Sequence, residues 1–143
     1  MKKILVFAFV LLVLPVLAFS ADMTQGGWAS YDRQNMKVGT FTVTADGSGN
    51  VADFYFEDLS GIKGYYLLSV EMYSATDDAF ATIIKSALGT TLFSHTTTAA
   101  TSGEIRNATD RWPIYAISGV GPYMDVTGLT ATESATIVVT LVR

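Results

Sequence analysis

Cysteine is absent from the 143 residues, histidine occurs once, proline three times, and nine basic residues face thirteen acidic ones. Each shortage excludes something. Without thiols there are no disulfide staples and no lipid anchor on a cysteine, so cohesion must come from an apolar core. With His95 alone, a zinc site would need three acidic or solvent ligands, outside the usual donor sets, and no cofactor is implied. Phosphate backbones attract clustered Lys and Arg, whereas Arg33, Lys37, Lys63, Lys85, Arg106 and Arg111 are scattered singly. Nucleic acid is therefore not an expected partner.

What is present begins with "MKKILVFAFVLLVLPVLAFSAD": two lysines, an apolar run from Ile4 to Leu14, a helix-breaking Pro15 and small residues beyond. This predicts a helical signal peptide over residues 1–20, with cleavage after Ser20 leaving Ala18 and Ser20 at the small-residue positions. The alternative is a retained anchor, but the run falls short of the ~20 apolar residues that span a bilayer. Contact with a membrane would require the uncleaved segment. Export is expected, to the periplasm, the cell surface or the medium. Without Lys2 and Lys3 the chain keeps seven basic residues against thirteen acidic ones, a net charge of −6.

The remainder is long enough for one domain that buries about two-thirds of its unfolded surface. Thr, Val, Ile, Tyr and Phe crowd it and turn residues recur at short intervals, which predicts sheet. Residues 21–37 read as an N-terminal extension or first strand and 38–143 as an all-β, single-domain antiparallel sandwich of jelly-roll type. "TFTVTADGSGNVADFYFED" places Phe41, Val43 and Ala45, then Ala52, Phe54 and Phe56, at alternate positions around Gly47 and Gly49, and predicts a hairpin. "GYYLLSVEMY" sets Tyr66, Leu68, Val70 and Met72 against Tyr65, Leu67, Ser69 and Glu71. "WPIYAIS", "PYMDVT" and "ATIVVTLV" offer three more strands, and residues 95–111 read as a polar loop. "TDDAFATIIKSALGTTLFSH" is ambiguous: a helix would align Phe80, Ile83, Ile84, Ala87 and Leu88, whereas two strands around a turn at 86–89 would set Ile83 opposite Phe80, Thr82 and Ile84.

"TFTVTADGSGN", "GYYLLSVEMY", "TDDAFATIIKSALGTTLF" and "GPYMDVTGLTATESATIVVTLVR", in that order, resemble small β-sandwich proteins encoded among the structural genes of tailed phages and prophages. The resemblance covers about residues 38–143 and implies the two-strand reading of 77–96, together with a virion-associated role or that of an exported relative. Ala81, Ser86 and Thr91 stand where that family usually carries Asp, so no role of those carboxylates transfers.

Catalytic equipment is sparse. Ser94 and His95 are neighbours, which on a strand point to opposite faces and do not make a hydrogen-bonded nucleophile. Asp77 and Asp78 would need a sugar-sized cleft to act as a glycosidase pair. Asp46, Ser48 and Asn50 mimic the start of a calcium loop, without its later carboxylate in register; a turn explains them as well. Two non-enzymatic readings remain. The leading one is a self-assembling structural or surface protein, with Tyr65, Leu67, Val138 and Val142 as apolar interface residues of a homo-oligomer. The alternative is an exported carbohydrate-binding module, in which Trp28, Trp112, Tyr115 and Tyr123, with Tyr65 and Tyr66 as further aromatics, stack on a glycan.

Overall fold

The computed structural model describes residues 20–31, 35–108, 113–114 and 120–143. Among the described residues ten strands form two antiparallel sheets: β1 (Asp22–Gln25), β2 (Ala29–Tyr31), β3 (Met36–Thr44), β4 (Asn50–Tyr55), β5 (Tyr66–Ser74), β6 (Ala81–Lys85), β7 (Thr91–Thr96), β8 (Glu104–Asn107), β9 (Tyr123–Thr127) and β10 (Ser134–Val142). One sheet runs β1-β3-β10-β5-β8, with β2 also paired to β3; the other runs β4-β9-β6-β7. From β3 onward, successive strands alternate between the two sheets, except that β6 and β7 are neighbours in the smaller one, and β10 lies between β3 and β5. This is the double Greek-key winding of a jelly roll. Of the region predicted as a signal peptide, residues 1–19 lie outside the described residues.

That winding corrects the expected hairpin. β3 pairs with β1, β2 and β10 but not β4, whose partner is β9, so the "DGSGN" turn carries the chain from one sheet to the other. The local chemistry is that of a turn nonetheless. Asp46 Oδ1 accepts from the N–H groups of Ser48 (2.7 Å) and Asn50 (3.0 Å), and Gly49 adopts φ 79°. A Cβ on Gly49 would sit 2.0 Å from the Leu129 carbonyl oxygen, so only glycine lets this corner close against the loop before β10.

The inner faces meet in one core. β10 shows the simplest alternation: Ala135, Ile137, Val139 and Leu141 are buried, and Thr136, Val138, Thr140 and Val142 point to the outer face. Phe41 of β3 touches Phe54 and Phe56 from the other sheet, with ring centroids 6.1 and 5.0 Å away. The ambiguous segment forms β6 and β7, the hairpin in the smaller sheet, turning at Ser86–Gly89; Phe80, Thr82 and Ile84 are buried and Ile83 faces the other way. The helical spacing was coincidental.

Two expected faces slip by one residue, in each case at a bulge. β5 loses register against β10 between Thr140 and Leu141, so Leu67, Val70, Met72 and Ser74 are buried while Tyr66 is exposed. β4 loses register against β9 between Val51 and Phe54, which puts Val51 inside and Ala52 outside. The expected polar loop at 95–111 contains β8, paired to β5. "PYMDVT" and "ATIVVTLV" became β9 and β10, whereas of "WPIYAIS" the structure describes Pro113, bridged to Tyr66, and the buried Ile114.

Candidate functional site

β9 sits between β4 and β6 in the smaller sheet. Because Met124 and Val126 are buried in the core, Tyr123, Asp125 and Thr127 are turned to the outer face. Register then assembles a group of side chains around Tyr123. Tyr55 of β4 stands opposite it, with ring centroids 5.3 Å apart and planes tilted by 45°. On the other side Lys85 of β6 is its partner, with Nζ 5.3 Å from the Tyr123 ring centroid. Lys85 Nζ donates to Asp125 Oδ2 at 2.7 Å, and the Asp53 N–H donates to Asp125 Oδ1 at 2.8 Å. The hydrogen bond to Asp125, offset in part by burial and reinforced by the charges of Asp125, Tyr123 and Asp53, holds the Lys85 ammonium above its ordinary pKa. Gly89 in the β6–β7 turn lies beside the Tyr123 hydroxyl, 3.6 Å from where a Cβ would be. Tyr55 keeps 48% of its surface exposed.

This arrangement offers two aromatic faces, an ammonium and two carboxylates on an open sheet surface. It presents no nucleophile beside a base. Among the described residues no three His, Asp or Glu side chains converge as a metal group.

The other sequence candidates are distributed elsewhere. Trp28 is part of the core rim: its Nε1–H donates to the Glu57 carbonyl (3.0 Å), its ring packs at 6.0 Å from Phe41 and 5.8 Å from Phe56, and it fills the space above Gly39, where a Cβ would lie 2.7 Å away. That ring is half-buried against the core and lies away from Tyr123. Trp112 and Tyr115 lie outside the described residues. Tyr66 is exposed on the outer face of the larger sheet, away from Tyr123. Of the expected interface residues, Tyr65 and Leu67 are buried at 5% and 1% exposure, because the β5 bulge turns Leu67 inward; neither has surface to give a partner. Val138 and Val142 are half-buried on the outer face of the larger sheet. Tyr55, absent from the sequence candidates, belongs to the site; a tyrosine at a strand's solvent-facing position was the signal.

The remaining polar candidates serve structure. Asp77 accepts from the Thr130 N–H and hydroxyl, and Asp78 from the Thr101 N–H and hydroxyl, so each closes a different loop and the two do not act together. His95 points at Glu104: its Nε2 is 2.7 Å from Glu104 Oε1, which also takes Arg106 Nη2 at 2.5 Å. Glu104 Oε2 accepts from the N–H groups of Thr98 and Ala99. The Thr98 N–H, then His95, and to a lesser degree the Ala99 N–H and the Arg106 charge hold the Glu104 carboxyl down at about 2 against burial. This cluster ties β7 of one sheet to β8 of the other.

No protein-family model matches the chain. No curated protein matches it either. Among solved structures, it is similar to a mutant of the lectin binding domain of Lectinolysin complexed with Lewis b (TM-score 0.36, 8% identity, covering 88% of this chain and 94% of that one). It is also similar to the C-terminal CBM6 of LamC from Zobellia galactanivorans (0.36, 8%, 87% and 100%). A third is the family 11 carbohydrate-binding module of the cellulosomal cellulase Lic26A-Cel5E of Clostridium thermocellum (0.30, 12%, 91% and 90%). Likenesses this faint transfer neither fold nor ligand to this chain, whose sandwich is established by its own two ladders.

Proposed function

We propose that this chain is an exported, non-enzymatic carbohydrate-binding sandwich that takes a glycan across the outer face of the four-stranded sheet. The supporting observation is the Tyr55–Tyr123 pair, an exposed ring set beside a half-buried one on the outer face, with Lys85 and Asp125 at its edge. Sugar rings have apolar C–H faces and hydroxyl edges. Tyrosine rings match the first at low conformational cost, and fixed ionic groups match the second. The paired strands set the rings in place before a ligand arrives, which limits the ordering that binding would otherwise require. Polysaccharide pull-down and affinity electrophoresis with the purified protein test the reading. Saturable retention, lost in Tyr55→Ala and in Tyr123→Ala, is expected; no saturable retention by any polysaccharide would overturn it.

A second reading, a surface subunit packing against copies of itself, draws on the outer face of the larger sheet. Tyr66, Tyr73 and Ile105 are exposed there (38%, 45% and 60%), beside Val138 and Val142. Light scattering at tens of micromolar separates the two readings, since this one requires an oligomer. The virion role rests on the phage resemblance alone and has no support in the geometry.

A further inference from the structure

Asp53 has the least ordinary backbone in the tyrosine site. Between Val51 and Phe54 the β4–β9 register shifts, and Asp53 takes φ 55°, in the left-handed region that few non-glycine residues occupy. Bulges of this kind re-aim side chains next to binding sites. Here the bulge also spends the acceptors of Asp125: one oxygen takes the Asp53 N–H and the other takes Lys85. The Lys85 charge is correspondingly engaged. What remains is the Asp53 carboxylate itself, exposed, two positions before Tyr55 on the same strand, near enough to Lys85 to favour its charged form, and without a hydrogen bond among the described residues. With Lys85 set against Asp53 and Asp125, the site carries one net negative charge.

Building on the glycan reading above, we propose that Asp53 determines the specificity of this site. Its carboxylate accepts hydrogen bonds from the hydroxyls of a neutral polysaccharide lying on Tyr55 and Tyr123, and its charge keeps acidic polysaccharides out. A carboxylate is an acceptor without a proton to give, so it pairs with sugar hydroxyls through charge-assisted bonds. The same charge repels uronates, which is discrimination by an unfavourable contact.

The test compares wild type, Asp53→Asn, Asp53→Gly and Tyr55→Ala by affinity electrophoresis in gels carrying a neutral β-glucan, a neutral mannan or a polyuronate. Glycine suits φ 55° without strain, so the second variant removes the carboxylate while easing the backbone; thermal melts check that all four proteins fold. Wild type is expected to be retarded by a neutral polymer and not by polyuronate. Both Asp53 variants lose roughly tenfold or more in affinity for the neutral polymer, as for one charge-assisted hydrogen bond, and the Asn variant gains retention by polyuronate. If Tyr55→Ala abolishes retention while the Asp53 variants match wild type, or if wild type prefers polyuronate, the role of Asp53 is overturned and the glycan reading stands. If no polymer retards wild type, or Tyr55→Ala behaves as wild type does, the glycan reading falls and takes this one with it.

Discussion

The two outer faces of the sandwich are built from the same kind of ladder and carry different chemistry. On the larger sheet, the register lines up Thr24, Thr42 and Thr136, then Thr40 with Val138 and Glu71, so β-branched side chains stabilise neighbouring strands. On the smaller sheet, the row through Tyr55, Tyr123 and Lys85 gathers aromatics and charges around a bulge. Threonine and valine serve the sheet they stand on. A tyrosine pair flanked by an ion pair and an unengaged carboxylate does more than the sheet requires, and the proposed glycan reading draws on it, while Tyr66, Tyr73 and Ile105 stand exposed on the larger face as the basis of the self-packing reading.

The largest expected effect tests whether stability and recognition are separable. Ile137→Ala, beneath the larger face and fully buried, should cost about 2–5 kcal/mol in urea unfolding, while the protein that remains folded keeps its glycan affinity. Lost affinity in that folded fraction would break the comparison. Gly49→Ala acts at the corner that joins the sheets, where both φ and the Leu129 carbonyl oppose a side chain. A loss of about 3 kcal/mol is expected, measured as a drop in thermal midpoint.

Acid titration addresses the link between the sheets away from both faces. The Glu104 carboxyl is held at about 2, below its ordinary 4.5, so the unfolded chain takes up this proton first as pH falls. The stabilisation is fully present above pH 4.5 and is lost between there and about 2. Urea midpoints at pH 5 and pH 2.5 should differ more in wild type than in Glu104→Gln; equal differences would remove Glu104 as the acid-sensitive tie. A smaller stability change is expected at the recognition face itself. Tyr55→Ala should cost about 1 kcal/mol or less in folding, the range of a cross-strand aromatic pair, while the proposed glycan retention should be lost. Smallest of all, Val138→Thr on the larger face should stay within about 0.5 kcal/mol of wild type and leave glycan retention unchanged.

Much of this architecture was legible from alternation. β9 and β10 keep a strict period of two without a bulge in their buried sets, and Phe80, Thr82 and Ile84 obey the strand pattern that competed with the helical one. What alternation could not carry was the slip in phase at β4 and β5. A bulge is fixed by the opposing strand, and neither Ala52 nor Leu68 announces it. The corner at Asp46–Gly49 was misread for a related reason: an Asx turn and a left-handed glycine reverse a chain equally well whether the flanking strands pair or part into different sheets. β8 escaped notice because pairing with β5 and the ties of Glu104 define it, with no apolar rhythm of its own. The site was half visible. Tyr123 was a candidate from its residue type, but Tyr55 acquires its meaning from a partner far along the sequence.

The placement of β10 bears on how this molecule comes into being. Its nine residues fill the slot between β3 and β5, with a full ladder to each side. Until residues 134–142 have been synthesised, those two strands have no neighbour in common and the larger sheet has a gap at its centre. Most of the pairing is therefore long-range and late, a topology that folds slowly.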